Sequence, residues 1–431
     1  MIRYNEKEKA MISTQTEAIS ETFVRFDREL YGMLYRPTAQ TQGRHIGILV
    51  MHSAQDYTDM NLCPEMAKRG FTVLGSRVDN PGAPLDRKLL DVKKAVNFLK
   101  QVPGVDKIVL MGHSGGATLM SAYQRAAENG IASIQGENLI YSATITEALI
   151  PADGCMFIDS NYGNGAMTLI SIEPGIVEEG CGTVVDPRYD SFNPAVGFSP
   201  EGAAYTPEFL AEFFAAQGER NNRLIQTALD RLTLIQQGKG YYRDDEPFSV
   251  AGAAQIKPFN KLINQDLRLL SHTRGEYPLI HADGSVTTEQ ISCLRGAFPM
   301  KADSAGMFAT YTGTVRGWLS EQSVWAKPDY AFVEDGVRGI DWDNAFSCTP
   351  GNVKYIHCPV LAMGMSGSYE YAAAEYIMEN CPSSDKSAAF VEGADHMISA
   401  NRRAEKFPGQ FGDTEKLTYD HMAAWLSAGR F

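Results

Sequence analysis

The sequence predicts an α/β protein: a doubly wound, mostly parallel sheet interrupted by one large insertion. Three observations predict it. Short apolar runs alternate with helical periodicity over the first 165 residues. The same alternation returns after residue 355. Between them lies a stretch of some 175 residues with a different texture.

The elements follow in order. Residues 45–51, His-Ile-Gly-Ile-Leu-Val-Met, read as a buried strand, and 62–69 as a helix ending at Gly70. Residues 71–76 are a second strand. Residues 84–102 are a helix, because Leu85, Leu89, Val92, Val96 and Leu99 recur at helical spacing and Pro103-Gly104 stops it. Residues 107–111 are a third strand, 115–127 a helix and 154–158 a fourth strand. Residues 175–205, rich in Gly, Pro, Asp and Ser, read as loop. Thr206-Pro207 then opens a long helix, with Thr206 as N-cap and Pro207 in the first turn. Residues 241–345 carry scattered aromatics and few clear strands. Strands return at 355–363 and 387–391, each followed by a helix, at about 371–379 and 414–428. The domain parse is a core of residues 1–170 and 346–431 with a mainly helical cap insertion at 171–345.

Composition narrows the function classes. The chain has 431 residues, 44% hydrophobic and 21% charged, which suits a globular protein with a large core. It carries 39 Lys+Arg against 52 Asp+Glu, a net charge of −13. That disfavours a nucleic-acid partner, because phosphate binding needs a basic field. The first nine residues lack the apolar run of a secretory signal, and no stretch of about 18 uncharged apolar residues could span a membrane. Seven cysteines, an odd count without a C-x-x-C pair, argue against a zinc site and a full disulfide framework. A reducing cytoplasm is the expected compartment.

The strongest local signal is Gly112-His113-Ser114-Gly115-Gly116, a G-x-S-x-G between a strand and a helix. A turn that tight excludes bulky neighbours, so glycines flank the serine. It presents the Ser114 hydroxyl together with the next backbone N–H, Gly115, at a helix N-terminus. The bland alternative is a glycine-rich turn with a capping serine. A serine nucleophile needs a base. Of eight histidines, His396 in Gly393-Ala-Asp-His396 follows the last strand and comes after the serine in the chain. His113, on the strained turn, is expected to point away, and His52 to shape the site. An oxyanion hole needs two N–H groups. Gly115 supplies one, and the loop Met51-His52-Ser53-Ala54-Gln55 the other, with Ala54 first and Ser53 second.

These motifs together resemble the α/β-hydrolase superfamily, over about residues 20–165 and 350–431. The resemblance implies an α/β-hydrolase fold with a cap between its sixth and seventh strands, and an acid completing a triad. That acid usually follows the seventh strand. Here the loop Gly364-Met-Ser-Gly-Ser-Tyr-Glu370-Tyr has no Asp. Glu370 is its first carboxylate, and Glu375 lies on the next helix. Some members use a carboxylate after the sixth strand, where Asp159 stands at the end of an apolar run. All three stay open.

The resulting expectation is a serine hydrolase cleaving a carboxylic ester, lactone or amide of a medium-sized substrate through an acyl-enzyme, with no metal or organic cofactor. Its partner is a small-molecule acyl substrate, with no membrane or nucleic acid, and the exposed cap is compatible with a homodimer. The rivals are an acyltransferase or lyase on the same scaffold, and a binding protein that kept the fold without the chemistry.

Overall fold

The computed structural model describes residues 18–179, 184–254, 261–297 and 309–431. The N-terminal stretch and Cys181 lie outside them. β1 (Ile19–Arg25) and β2 (Tyr31–Pro37) open the chain, followed by β3 (Ile46–Val50), α1 (Leu62–Lys68), β4 (Thr72–Ser76) and α2 (Leu85–Gln101). β5 (Lys107–Ser114), α3 (Gly115–Asn129), β6 (Gly154–Ser160) and α4 (Asn164–Ser171) complete the first part. The middle supplies α5 (Pro207–Gln236), β7 (Pro247–Val250), α6 (Lys261–Gln265), β8 (His272–Ile280) and β9 (Val286–Ser292). It continues with β10 (Tyr311–Thr314), α7 (Val315–Glu321), β11 (Ala326–Val333) and β12 (Gly336–Ile340). α8 (Thr349–Asn352), β13 (Val360–Met365), α9 (Ala373–Asn380), β14 (Lys386–Val391) and α10 (Thr414–Leu426) close it.

Ten strands form one sheet in the order β1-β2-β4-β3-β5-β6-β13-β14-β8-β9. The run from β4 through β8 is parallel, and the β1–β2 and β8–β9 edges are antiparallel. The expected doubly wound sheet is therefore present. Alternation along each strand explains how both faces are covered. Leu49, Leu74 and Leu110 join Leu85, Leu89 and Val92 of α2 and Leu119 of α3 on one face. Ile48, Val73 and Val109 join Leu62 and Met66 of α1 and Met422 and Trp425 of α10 on the other.

The middle segment departs from the few clear strands expected there: among the described residues, six strands, β7 to β12, lie between 247 and 340. β8 and β9 pair onto β14 and lengthen the core sheet. β9, Val-Thr-Thr-Glu-Gln-Ile-Ser, is an exposed edge whose polar residues hide it from hydrophobic periodicity. The rest is built on the 30-residue α5 with two small ladders, β10–β7 and β11–β12. α5 begins as predicted: Pro207 is its first residue and the Thr206 hydroxyl accepts the Phe209 N–H at 3.2 Å. Phe214 of α5 packs edge-on against Tyr330 of β11. The acidic turn at 242–247 is less solvated than its composition suggests, because Glu246 is buried and binds Arg231 at 3.0 Å. Among the described residues, no helix is long and apolar enough to cross a membrane.

Candidate active site

The predicted nucleophile stands where β5 turns into α3. Ser114 has φ +56° and ψ −130°, a left-handed conformation costly for a residue with a side chain. Close packing enforces the turn. A Cβ on Gly112 would lie 2.6 Å from Ala117 Cα, and one on Gly116 would lie 2.6 Å from the Met51 carbonyl oxygen. Both glycines are thus required by approach of the helix to its own strand and to the 51–55 loop. Ser114 is half-buried. Gly115 is the first residue of α3, so its N–H has no acceptor within the helix.

Asp159 is the penultimate residue of β6, the neighbouring strand, and has a second positive φ (+39°). The β5–β6 register sets Ser114 opposite Ser160. Asp159 is fully buried, and both of its oxygens are used: Oδ1 accepts the Met365 N–H at 2.9 Å and Oδ2 lies 2.7 Å from His396 Nδ1. His396 reaches it from the loop after β14. That loop turns at Gly393 (φ +66°) and is pinned by the Ala394–Ala400 bridge and by the Gly367 N–H on the Ala394 carbonyl at 2.7 Å. Glu370 approaches the same nitrogen, its Oε2 at 3.1 Å, while its Oε1 accepts the Tyr369 hydroxyl at 2.9 Å. His396 therefore faces two buried carboxylates. These three side chains are also the His/carboxylate group whose ligand atoms converge to within 4.8 Å, so any metal at this site would be held by them.

Glu375 belongs elsewhere. It accepts the Arg274 and Gly275 N–H groups of β8 at 3.2 and 2.8 Å, tying α9 to that strand. Its role as the acid is thereby withdrawn. Ala54 is corrected as well: its N–H points back to His52 Nδ1 at 3.0 Å, as does that of Gln55 at 2.9 Å. An amide already bonded to an imidazole cannot be aimed at an oxyanion. Ser53, the second choice, keeps a backbone N–H without a protein acceptor among the described residues.

His113 does not point away. It is buried, donates from Nε2 to the His396 carbonyl at 2.6 Å, and accepts the Tyr57 hydroxyl at Nδ1 at 2.8 Å. A carbonyl can only accept, so this pairing fixes the neutral tautomer. The His113 and His396 rings are 4.8 Å apart. Among the described residues no direct hydrogen bond from Ser114 to His396 is seen; the two segments meet through His113 and the β5–β6 register.

Behind the turn runs a buried polar network that the sequence did not announce. Asn164, at the start of α4, donates to Ser53 Oγ at 2.9 Å and to Glu321 Oε1 at 2.8 Å. Glu321, at the end of α7, pairs with Lys88 of α2 at 2.5 Å, both deeply buried. One signal was available: Lys88 falls within the apolar stripe of its helix, between Leu85 and Val92, where a charge needs a partner. His52 lies beside this network. Burial first, then the charges of His396 and Lys88, push it down to about 3.

No family model matches the sequence, and no curated protein matches it. Among solved structures the chain is similar to a hypothetical protein PA2218 from Pseudomonas aeruginosa, at 12% identity over 99% of this chain and 98% of that one, TM-score 0.42. It is similar to the α/β hydrolase GrgF from Penicillium sp. sh18, at 11% identity over 95% and 98%, TM-score 0.42. It is also similar to a soluble variant of monoglyceride lipase from Saccharomyces cerevisiae, at 12% identity over 96% and 97%, TM-score 0.40. Likenesses of this size carry no weight on substrate or residue roles.

Proposed function

We propose that this chain is a serine hydrolase of the α/β-hydrolase superfamily that opens a carboxylic ester through an acyl-enzyme. One observation carries the reading. A serine held at φ +56° heads a helix, and a buried Asp159–His396 pair with 2.7 Å between its atoms stands at neighbouring strand ends. In chain order the three run Ser, Asp, His.

The chemistry follows from these roles. Ser114 Oγ attacks the ester carbonyl carbon, its proton passes to His396 Nε2, and the carbonyl π pair moves onto oxygen. Asp159 keeps the imidazole proton on Nδ1 and stabilises the imidazolium. The Gly115 N–H, with Ser53 in place of the engaged Ala54, faces the oxyanion. Collapse expels the alcohol, protonated by His396, and water repeats the cycle to release the acid. The substrate class in this reading is a medium-sized acyl ester.

A non-catalytic binding protein is the second reading, favoured by the lack of a direct Ser114–His396 hydrogen bond. Catalytic hydrogen bonds often form only when substrate is bound. Intact mass after incubation with a fluorophosphonate separates the two. One adduct per chain, absent in Ser114→Ala, supports the hydrolase. No adduct, together with no turnover of p-nitrophenyl butyrate, favours the binding protein.

A further inference from the structure

His52 sits in the loop after β3, its ring packed against that of Tyr57 with centroids 5.0 Å apart. Nδ1 accepts two backbone N–H groups, those of Ala54 and Gln55, at 3.0 and 2.9 Å. Its lone pair is therefore committed, and the ring proton resides on Nε2. No acceptor among the described residues takes that proton. The Nε2 edge lies against Gly115. A Cβ built on Gly115 would stand 2.9 Å from Asn164 Oδ1, which accepts the Asn161 amide at 3.2 Å, 2.9 Å from His52 Nε2 and 3.0 Å from its Cε1. The space that a side chain after the nucleophile would occupy is thus shared by the Asn164 amide oxygen and the His52 imidazole N–H, beside the first amide of α3.

We propose that the His52 Nε2–H is a side-chain donor of the oxyanion hole, working with the Gly115 N–H on the oxygen of the Ser114 adduct. The inference rests on the serine-hydrolase reading and deepens it. As the Oγ–C bond forms and the carbonyl pair moves to oxygen, the new charge meets an N–H already in place. His52 gives up no proton; the one from Ser114 goes to His396, and the pair returns from oxygen when the leaving-group bond breaks. His52 cannot be the base, because Nδ1 is engaged and Nε2 carries hydrogen. Its burial keeps it neutral, so it adds a dipole without a cation that would oppose the charge growing on His396. The Ala54 amide is then spent on orienting the His52 ring, which adds its N–H to those of Gly115 and Ser53.

The test uses the whole protein and p-nitrophenyl butyrate. In His52→Asn the shorter amide can offer its oxygen where Nδ1 stood, keeping the loop bonds, but nothing reaches the Nε2 position. The expected result is a kcat lower by about a hundredfold with KM within about twofold, the cost of one lost oxyanion donor. Binding of an alkyl trifluoromethyl ketone, which forms a tetrahedral adduct with the serine, weakens in parallel. His52→Gln, whose amide NH2 reaches the Nε2 position, recovers about a tenth or more of the lost rate. A purely structural His52 would be rescued by Asn rather than by Gln. A second measurement needs no variant: in wild type the His52 Nε2 proton resonance moves downfield on ketone binding. A His52→Asn kcat within about threefold of wild type, or an unmoved Nε2 proton in the ketone complex, overturns the proposal. Wild type that neither reacts with a fluorophosphonate nor turns over the ester overturns the serine-hydrolase reading beneath it, and is seen before any variant is made.

Discussion

His113 Nε2 donates to the backbone carbonyl of His396 across 2.6 Å, so the residue before Ser114 holds the loop that carries His396. One strand end thus sets two positions: Ser114 by its backbone, His396 through the neighbouring side chain. The Tyr57 hydroxyl, 2.8 Å from His113 Nδ1, fixes that side chain in turn. His113→Phe removes the tie while keeping a ring of similar bulk. The expected outcome is a kcat lower by about ten- to a hundredfold, since misplacing a catalytic group by about 1 Å costs that much. KM should change little. His113→Gln, which can still donate to the carbonyl, should restore most of the rate. Equal losses in Phe and Gln would show that His113 is packing rather than positioning.

Two carboxylates meet one imidazole nitrogen, and substitution ranks them. Met365 N–H holds Asp159 Oδ1 at 2.9 Å. In Asp159→Asn that N–H still needs an oxygen, so the new NH2 must face His396 Nδ1. The imidazole then moves its proton to Nε2 and cannot accept one from Ser114. The expected loss in kcat is about ten-thousandfold. Glu370, 3.1 Å from the same nitrogen, is predicted to be auxiliary: Glu370→Gln should cost less than about tenfold. Steady-state kinetics on the two variants decide. The reverse ranking would transfer the acid to Glu370.

How far the sequence foretold this site follows from what each residue needs. Ser114 was legible because the tight turn demands glycines next to it in the chain. Asp159 was legible because a charge ending a wholly apolar strand must have a partner. The edge strands β1 and β9 were not, since an exposed edge carries no apolar alternation. The 51–55 loop misled because a histidine can bond the amides two and three residues onward, and that choice is made by a ring orientation set in three dimensions. Glu321 was out of reach for a different reason. Its partner Lys88 is 233 positions away, and a buried charge announces that it needs a partner without saying which.

The Lys88–Glu321 pair ties α2 of the core to α7 of the middle segment, with side-chain exposures of 1% and 6%. Removing one member leaves a buried charge unpaired. Lys88→Met should lower stability by about 3–5 kcal/mol. The double variant Lys88→Met/Glu321→Gln should recover a large part of that, because a neutral amide can keep the Asn164 bond to its oxygen, at 2.8 Å in wild type. Urea unfolding of the wild type, the two single variants and the double variant closes the cycle. A Lys88→Met variant within about 1 kcal/mol of wild type would mean that water reaches the pair.

Acid stability should report His52 directly. Its ordinary value of 6.5 falls to about 3 in the folded protein, through burial first and the His396 and Lys88 charges second. Between these values the unfolded chain binds a proton that the folded chain refuses. Stability therefore rises with pH across that window. The contribution is complete above pH 6.5, is lost progressively as pH falls, and is gone near pH 3. The slope from this one group is about 1.4 kcal/mol per pH unit below its unfolded pKa. Other groups add their own slopes, so the comparison is with His52→Asn, which cannot titrate there. Urea midpoints measured from pH 7 to pH 4.5 should fall more steeply for wild type than for the variant, whatever their offset at neutral pH. Parallel curves would mean that His52 takes up a proton in the folded state. A neutral N–H at the oxyanion would then hold only on the alkaline side of that titration.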